Sequence, residues 1–140
     1  MAKLMQLEIV TPDKSLLKLD DVSYVLAETV MGPLGILANH APLIGTLLEA
    51  PLKYRCEDGK DRFIFVDAGF MEVNNNTVTI LSAAAETAEA IDVRRAEAAE
   101  ARALKHIEKP DPTIDLEVIG RNLRRARGRL KTVSLSRGNR

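Results

Sequence analysis

A flattened β-sandwich over residues 1–87, followed by a two-helix hairpin over residues 88–140, is the fold the sequence predicts. Three observations carry it. Short β-branched and apolar runs separated by turn residues occupy the first eighty or so positions. Alanine, glutamate and arginine, all good helix formers, take over from Ala83. A Pro-x-Pro break then divides that second part in two.

In chain order, Met5 to Val10 alternates apolar and polar residues, the signature of a half-buried strand, and Val22 to Val30 is again β-rich. Arg62 to Asp67 holds Phe63, Ile64, Phe65 and Val66, and Thr77 to Leu81 closes the β series. Asp58-Gly59 and Asn74-Asn75-Asn76 are hairpin turns, because these residues tolerate positive φ at little cost. Short strands at this spacing suit an all-β sandwich or flattened barrel, not alternating βα units.

Asp92 is placed to cap a first helix that ends near Ile107. Lys109-Pro110-Asp111-Pro112-Thr113 breaks it, and Thr113 is the expected cap of a second helix, with Asp115 and Glu117 at its positive end. Leu116, Ile119, Leu123, Ala126, Leu130 and Val133 step by threes and fours, a narrow seam for one partner helix. The first helix offers mainly alanines to that seam, so the pair packs closely but buries little apolar surface. Such a hairpin depends on docking or a ligand to hold one shape.

Charge is unevenly placed. The chain has 20 Lys+Arg and 20 Asp+Glu. Residues 121–140 hold eight bases, namely Arg121, Arg124, Arg125, Arg127, Arg129, Lys131, Arg137 and Arg140, and no acid. A segment of this kind is suited to an anionic partner. The single Cys56 cannot form an internal disulfide, and no metal site is expected. No apolar run approaches the ~20 residues that span a bilayer. Glu8 interrupts the N-terminus before a signal-peptide core forms, so the expectation is a soluble protein on the cytosolic side. No phosphate loop, dinucleotide fingerprint, zinc-protease motif or nucleophile elbow is present, and no catalytic residues are assigned.

The stretch Gly32-Pro33-Leu34-Gly35-Ile36-Leu37-Ala38-Asn39-His40-Ala41-Pro42-Leu43 resembles the Gly-x-Leu-Gly-Ile-Leu-Pro-x-His-x-Pro-Leu signature of the epsilon subunit of F-type ATP synthases. The resemblance continues through Asp67-Ala68-Gly69-Phe70-Met71-Glu72-Val73, Asn76 to Leu81 and Ile91-Asp92-Val93-Arg94-Arg95-Ala96. The chain departs from the family at Pro33, where an acid is common, at Ala38 for the usual proline, and at Ala68 for a glycine.

The resemblance implies a noncatalytic subunit of the proton-translocating rotary complex, peripheral on the cytoplasmic side of the cell membrane and touching the membrane only through that complex. It implies contact with the gamma subunit and the c-ring through the loop of Gly35, His40 and Pro42. It further implies a C-terminal arm that inhibits ATP hydrolysis when extended, with Arg121, Arg124, Arg125, Arg127 and Arg129 meeting an acidic segment of the beta subunit, alongside alpha. A structural hydrogen bond within its turn is the alternative role for His40.

By the same resemblance, Glu86, Asp92, Arg95, Arg102, Arg125 and Arg129 fall on the positions that contact ATP in nucleotide-binding members, making ATP a regulatory ligand with no cofactor required. From the residues alone, Asp92, Arg95, Ala99 and Arg102 share one helical stripe, and Arg125 and Arg129 stand one turn apart. Facing each other, the two would form a cationic slot for a triphosphate. Alternatively, Asp92 serves only as a cap, Arg95 and Arg102 pair with Glu89 or Glu100, and Arg125 and Arg129 serve only the beta subunit. The rival function is a free-standing β-sandwich module whose basic helix contacts nucleic acid. Aromatic residues make up only 4% of the chain, with none after Phe70, which disfavours a stacking surface.

Overall fold

The computed structural model describes residues 3–138, so Met1, Ala2 and Arg140 of the basic tail lie outside the described residues. Seven strands precede two helices: β1 (Met5–Thr11), β2 (Lys14–Thr29), β3 (Gly32–Leu37), β4 (Leu43–Cys56), β5 (Asp61–Asn74), β6 (Thr77–Leu81), β7 (Ala85–Thr87), α1 (Val93–Glu108) and α2 (Leu116–Gly138). A single 3-10 turn, Ala88–Ala90, links β7 to Asp92. The strands run in the order β1-β6-β5-β4-β2-β3, and β1 also pairs with β2, which closes the sheet into a flattened barrel. Leu7, Ile9, Val22, Val25, Ile36, Met71, Val73, Val78 and Ile80 fill it. The sandwich-plus-hairpin fold class is therefore observed.

Three strands are longer than the sequence pattern suggests. β2 has 16 residues and β4 and β5 have 14 each. β2 stays continuous because register shifts between Val22 and Tyr24 and between Leu26 and Thr29 let one strand serve two sets of neighbours. Its first half pairs with β1 and its second with β3 and β4. The turns fall as expected, with Gly59 at φ +77° between β4 and β5, and Asn75 and Asn76 at +49° and +57° between β5 and β6. The Asn76 side chain also donates to the Leu4 carbonyl and accepts from the Asn39 amide, tying the β3–β4 loop to the barrel end.

β5 explains how the helices find the barrel. Ile64 and Val66 point into the core, whereas Phe65 is fully buried on the opposite face against Ile91 and Val133. Asp67, two residues on, shares Phe65's face, and the β4 register sets Glu49 and Pro51 beside them. α2 lies on this outer face, and α1 packs on α2. The arm is folded down.

Two expectations about the arm are corrected. Thr113 does not cap α2. Asp111 accepts from both the Thr113 amide and its hydroxyl, forming the turn, and the Asp115 carboxylate accepts from the Glu117 amide at 2.9 Å as the true cap. The aspartate lies one residue before the helix and is therefore better placed. Leu116 is 61% exposed, so the buried seam starts at Ile119. α2 also serves more than one partner helix, since Gly128 is buried against Phe65 and Glu49 of the barrel.

Candidate functional site

A cleft of about 570 Å³ opens between α1, α2 and the edge of the barrel. Asp92 starts it: its carboxylate accepts from the Arg95 amide at 3.1 Å, capping α1 as the sequence predicts. From there the α1 stripe of Asp92, Arg95, Ala99 and Arg102 lines one wall. Arg125 and Arg129 of α2 line the other, and Glu86 of β7 lies at the barrel end. All six residues expected around a nucleotide thus border one cavity. Ala96, Ala103 and Ala126 line it as well, and their small side chains leave the space open.

The second-helix arginines are held from behind. The Arg125 Nε donates to Asp67 Oδ1 at 2.9 Å, and the Arg129 Nε donates to Glu86 Oε1 at 2.6 Å. Arg129 also lies 4.6 Å above the Phe65 ring, a cation–π stack. Both ion pairs run through Nε, which leaves the terminal nitrogens of each guanidinium outside these bonds. The first-helix pair is different. Among the described residues neither Arg95 nor Arg102 has an ion-pair partner, and Glu100 pairs with Arg127 at 3.2 Å instead. Arg95 and Arg102 are exposed, so their forks are the most available cations in the cleft.

Asp67 is the residue that sequence reasoning missed. It is buried to 8% exposure and comes to the cleft only through the β5 register and the docking of α2. It opens the Asp67–Val73 stretch of the family resemblance, but nothing in that stretch marks it as part of a cleft. Among the described residues, no group of three or more His, Cys, Asp or Glu side chains converges to hold a metal.

The basic face of α2 is largely occupied within the chain. Arg124 reaches Glu49 at 3.2 Å, Arg125 reaches Asp67, Arg127 reaches Glu100 and Arg129 reaches Glu86. Arg121 alone of the five arginines assigned to an external acidic partner has no ion pair among the described residues.

The third group of site residues lies at the other end of the barrel. Gly35 sits on β3, where a Cβ would stand 2.8 Å from the Tyr24 hydroxyl, so glycine there makes room for that ring. His40 is half-buried with Nδ1 2.7 Å from the Ala41 carbonyl, and Pro42 is exposed immediately before β4. Nearby on the outer face of β4, β5 and β6 stand Ile44, Phe70 and Leu81, respectively 76%, 54% and 47% exposed. Met31, 93% exposed, is in the turn whose Val30 amide bonds the Thr46 carbonyl. Apolar side chains exposed in such number mark an interaction surface.

Residues 4–88 match the family description "ATP synthase, Delta/Epsilon chain, beta-sandwich domain", and residues 89–134 match "ATP synthase, Delta/Epsilon chain, long alpha-helix domain". The chain is 38% identical over 131 residues to the ATP synthase epsilon chain of Staphylococcus aureus strains JH9 and Newman, covering 94% of this chain and 97% of theirs. In fold it is similar to a chain in the Euglena gracilis mitochondrial ATP synthase, with TM-score 0.82, 24% identity, and coverage of 95% of this chain and 82% of that one. A chain from the central stalk and c-ring of the Tetrahymena thermophila mitochondrial enzyme gives TM-score 0.56 at 22% identity, with 97% and 96% coverage.

Proposed function

This chain belongs to the ATP synthase epsilon-chain family, the central-stalk subunits of F-type ATP synthases, and from that premise we propose that its arm is an ATP-sensing inhibitor of hydrolysis. The observation that carries the reading is the convergence of Glu86, Asp92, Arg95, Arg102, Arg125 and Arg129 on one cleft of the folded-down arm, with walls on both helices. A triphosphate bridging the two helices would favour that state, because a ligand shifts an equilibrium only through its differential affinity for the two conformations.

The rest of the chain fits this role. The apolar surface around Ile44 and Phe70, with the loop of Gly35, His40 and Pro42, suits docking on the gamma subunit and the c-ring. The protein performs no chemistry itself and stays at the membrane through the complex; no described helix is long and apolar enough to span a bilayer. Four of the α2 arginines are matched by Glu49, Asp67, Glu86 and Glu100 in the folded arm. When the arm extends, an acidic segment of the beta subunit replaces those carboxylates, and the extended arm blocks hydrolysis.

The test is a nucleotide titration of the isolated chain. ATP at a hundredfold excess over Kd should stabilise it by about 2.7 kcal/mol, AMP should do so far less, and Asp92→Ala with Arg95→Ala should abolish the effect. Equal stabilisation of the wild type and the double variant would place the ligand elsewhere. In the assembled complex, removing the residues after Pro112 should relieve inhibition of hydrolysis while assembly persists, and unchanged hydrolysis would refute the inhibitory role of α2.

A further inference from the structure

The α1 stripe does not stop at Arg102. Its next step of four reaches His106, which lines the same cleft beside Ile119 and Asn122 of α2. His106 is half-buried, and among the described residues its ring has no hydrogen-bond partner. At 1.5 Å per residue it stands about 6 Å along the helix from Arg102 and about 21 Å from Asp92. We propose that His106 is a further ligand-binding residue of the cleft, reaching the outermost phosphate of a polyphosphate and making its affinity depend on pH. The proposal rests on the nucleotide reading above.

His106 lies in the last turn of α1, where the partial negative charge of the helix end attracts a cation. The α2 residues lining the cleft beside it, Ile119 and Asn122, are neutral. Arg125 is the first α2 base in the cleft lining after Asn122, Arg102 stands one turn back on α1, and Lys105 and Lys109 flank His106 in sequence. The acids near it in sequence are Glu108, at the end of the helix, and Asp111 in the interhelical turn. The Asp111 carboxyl is held below its ordinary value first by the Thr113 hydroxyl and amide, and His106 adds to the effect. Arginines with fixed charge therefore supply the pH-independent grip, and histidine, which changes charge between about pH 5 and 8, supplies the variable part.

Position along the stripe gives the specificity. A ligand with its base near Asp92 and its phosphates across Arg95 and Arg102 brings only its last phosphate to His106. The pH effect is therefore expected for ATP and absent for AMP.

The experiment is calorimetric titration of the full-length chain with ATP and with AMP at pH 8 and pH 5.5, in the wild type, His106→Gln, His106→Arg and Arg95→Ala. The terminal phosphate titrates near pH 6 itself, and this contribution is common to all variants, so the quantity read is the ratio of affinities between wild type and His106→Gln. That ratio should rise about tenfold on acidification, the low end of what one charge-assisted contact warrants. His106→Arg should show the higher affinity at both pH values, and melting without ligand should show all variants folded. A ratio for ATP that stays constant within about twofold, while Arg95→Ala still loses binding, would overturn the role of His106 and leave the slot intact. Wild type that binds no ATP at either pH, or Arg95→Ala that binds as the wild type does, would overturn the nucleotide reading and this inference with it.

Discussion

Replacing Gly128 with alanine should undock α2 from the barrel while leaving it helical. The added methyl would stand 2.7 Å from Phe65 Cε1 and 3.2 Å from the Glu49 carbonyl oxygen. Carbon atoms in contact prefer about 3.5–4.0 Å, so the helix must retreat by roughly 1 Å or the ring must turn. Phe65 has no room to turn, being fully buried with Arg129 stacked on it. Overpacking of this kind costs about 1–3 kcal/mol, which lowers the ratio of docked to free arm by roughly five- to 150-fold. Alanine also favours a helix over glycine by up to about 1 kcal/mol, but this applies to the docked and the free arm alike and cancels from the docking equilibrium. Amide hydrogen exchange along α2 is the assay, with far-UV circular dichroism to show that the helix persists. Gly120→Ala is the control, because its nearest neighbour is the flexible Arg124 tip at 3.5 Å. Undiminished protection of α2 in Gly128→Ala would refute the close-approach argument.

Other substitutions probe the ion pairs and the barrel. Arg125→Ala strands the Asp67 carboxylate, whose side chain is 9% exposed, and should destabilise the folded arm by about 1–3 kcal/mol in denaturant unfolding. Arg127→Ala should cost well under 1 kcal/mol, since its side chain is 57% exposed and that of its partner Glu100 31% exposed, so solvent screens the pair; equal losses for the two would argue against burial as the cause. The Asp58 carboxyl is held down to about 2, chiefly by its hydrogen bond from Arg62, with the Lys60 amide assisting. A folded value below the ordinary 3.8 means that this contact contributes above that pH and fades as pH falls through about 2. In Arg62→Ala the Asp58 midpoint should move back toward 3.8 by carboxyl-carbon NMR, and an unmoved midpoint would assign the depression to the Lys60 amide.

What the sequence made legible was local. The Asp92 cap, the Asn75-Asn76 and Gly59 turns and the α1 stripe all depend on residues a few positions apart, and each is present as read. The rest depends on register. Lys14 to Asp21 carries too many polar residues to show a clean alternation, so the start of β2 was invisible until β1 paired with it. Ala85–Thr87 has helix-forming composition yet adds to β5 as a strand, tertiary pairing overriding propensity. Asp67 reaches the cleft through two levels of packing. Of the two glycines inside α2, Gly120 and Gly128, only Gly128 lies at a close approach to the barrel, and sequence alone does not separate them.

The parallel pairing of β1 with β6 also orders events in time. Thr77 and Gln6 face each other across the sheet from positions 71 apart in the chain. The barrel therefore cannot close until synthesis has passed Leu81, and closure must first overcome the entropy of that long loop. The helices emerge only afterwards, and their landing surface of Glu49, Pro51, Phe65 and Asp67 is complete only when β4 and β5 have paired. A newly made chain thus builds a rigid barrel first and lays the arm on it last. Unfolding run in reverse would shed the arm before any strand separates.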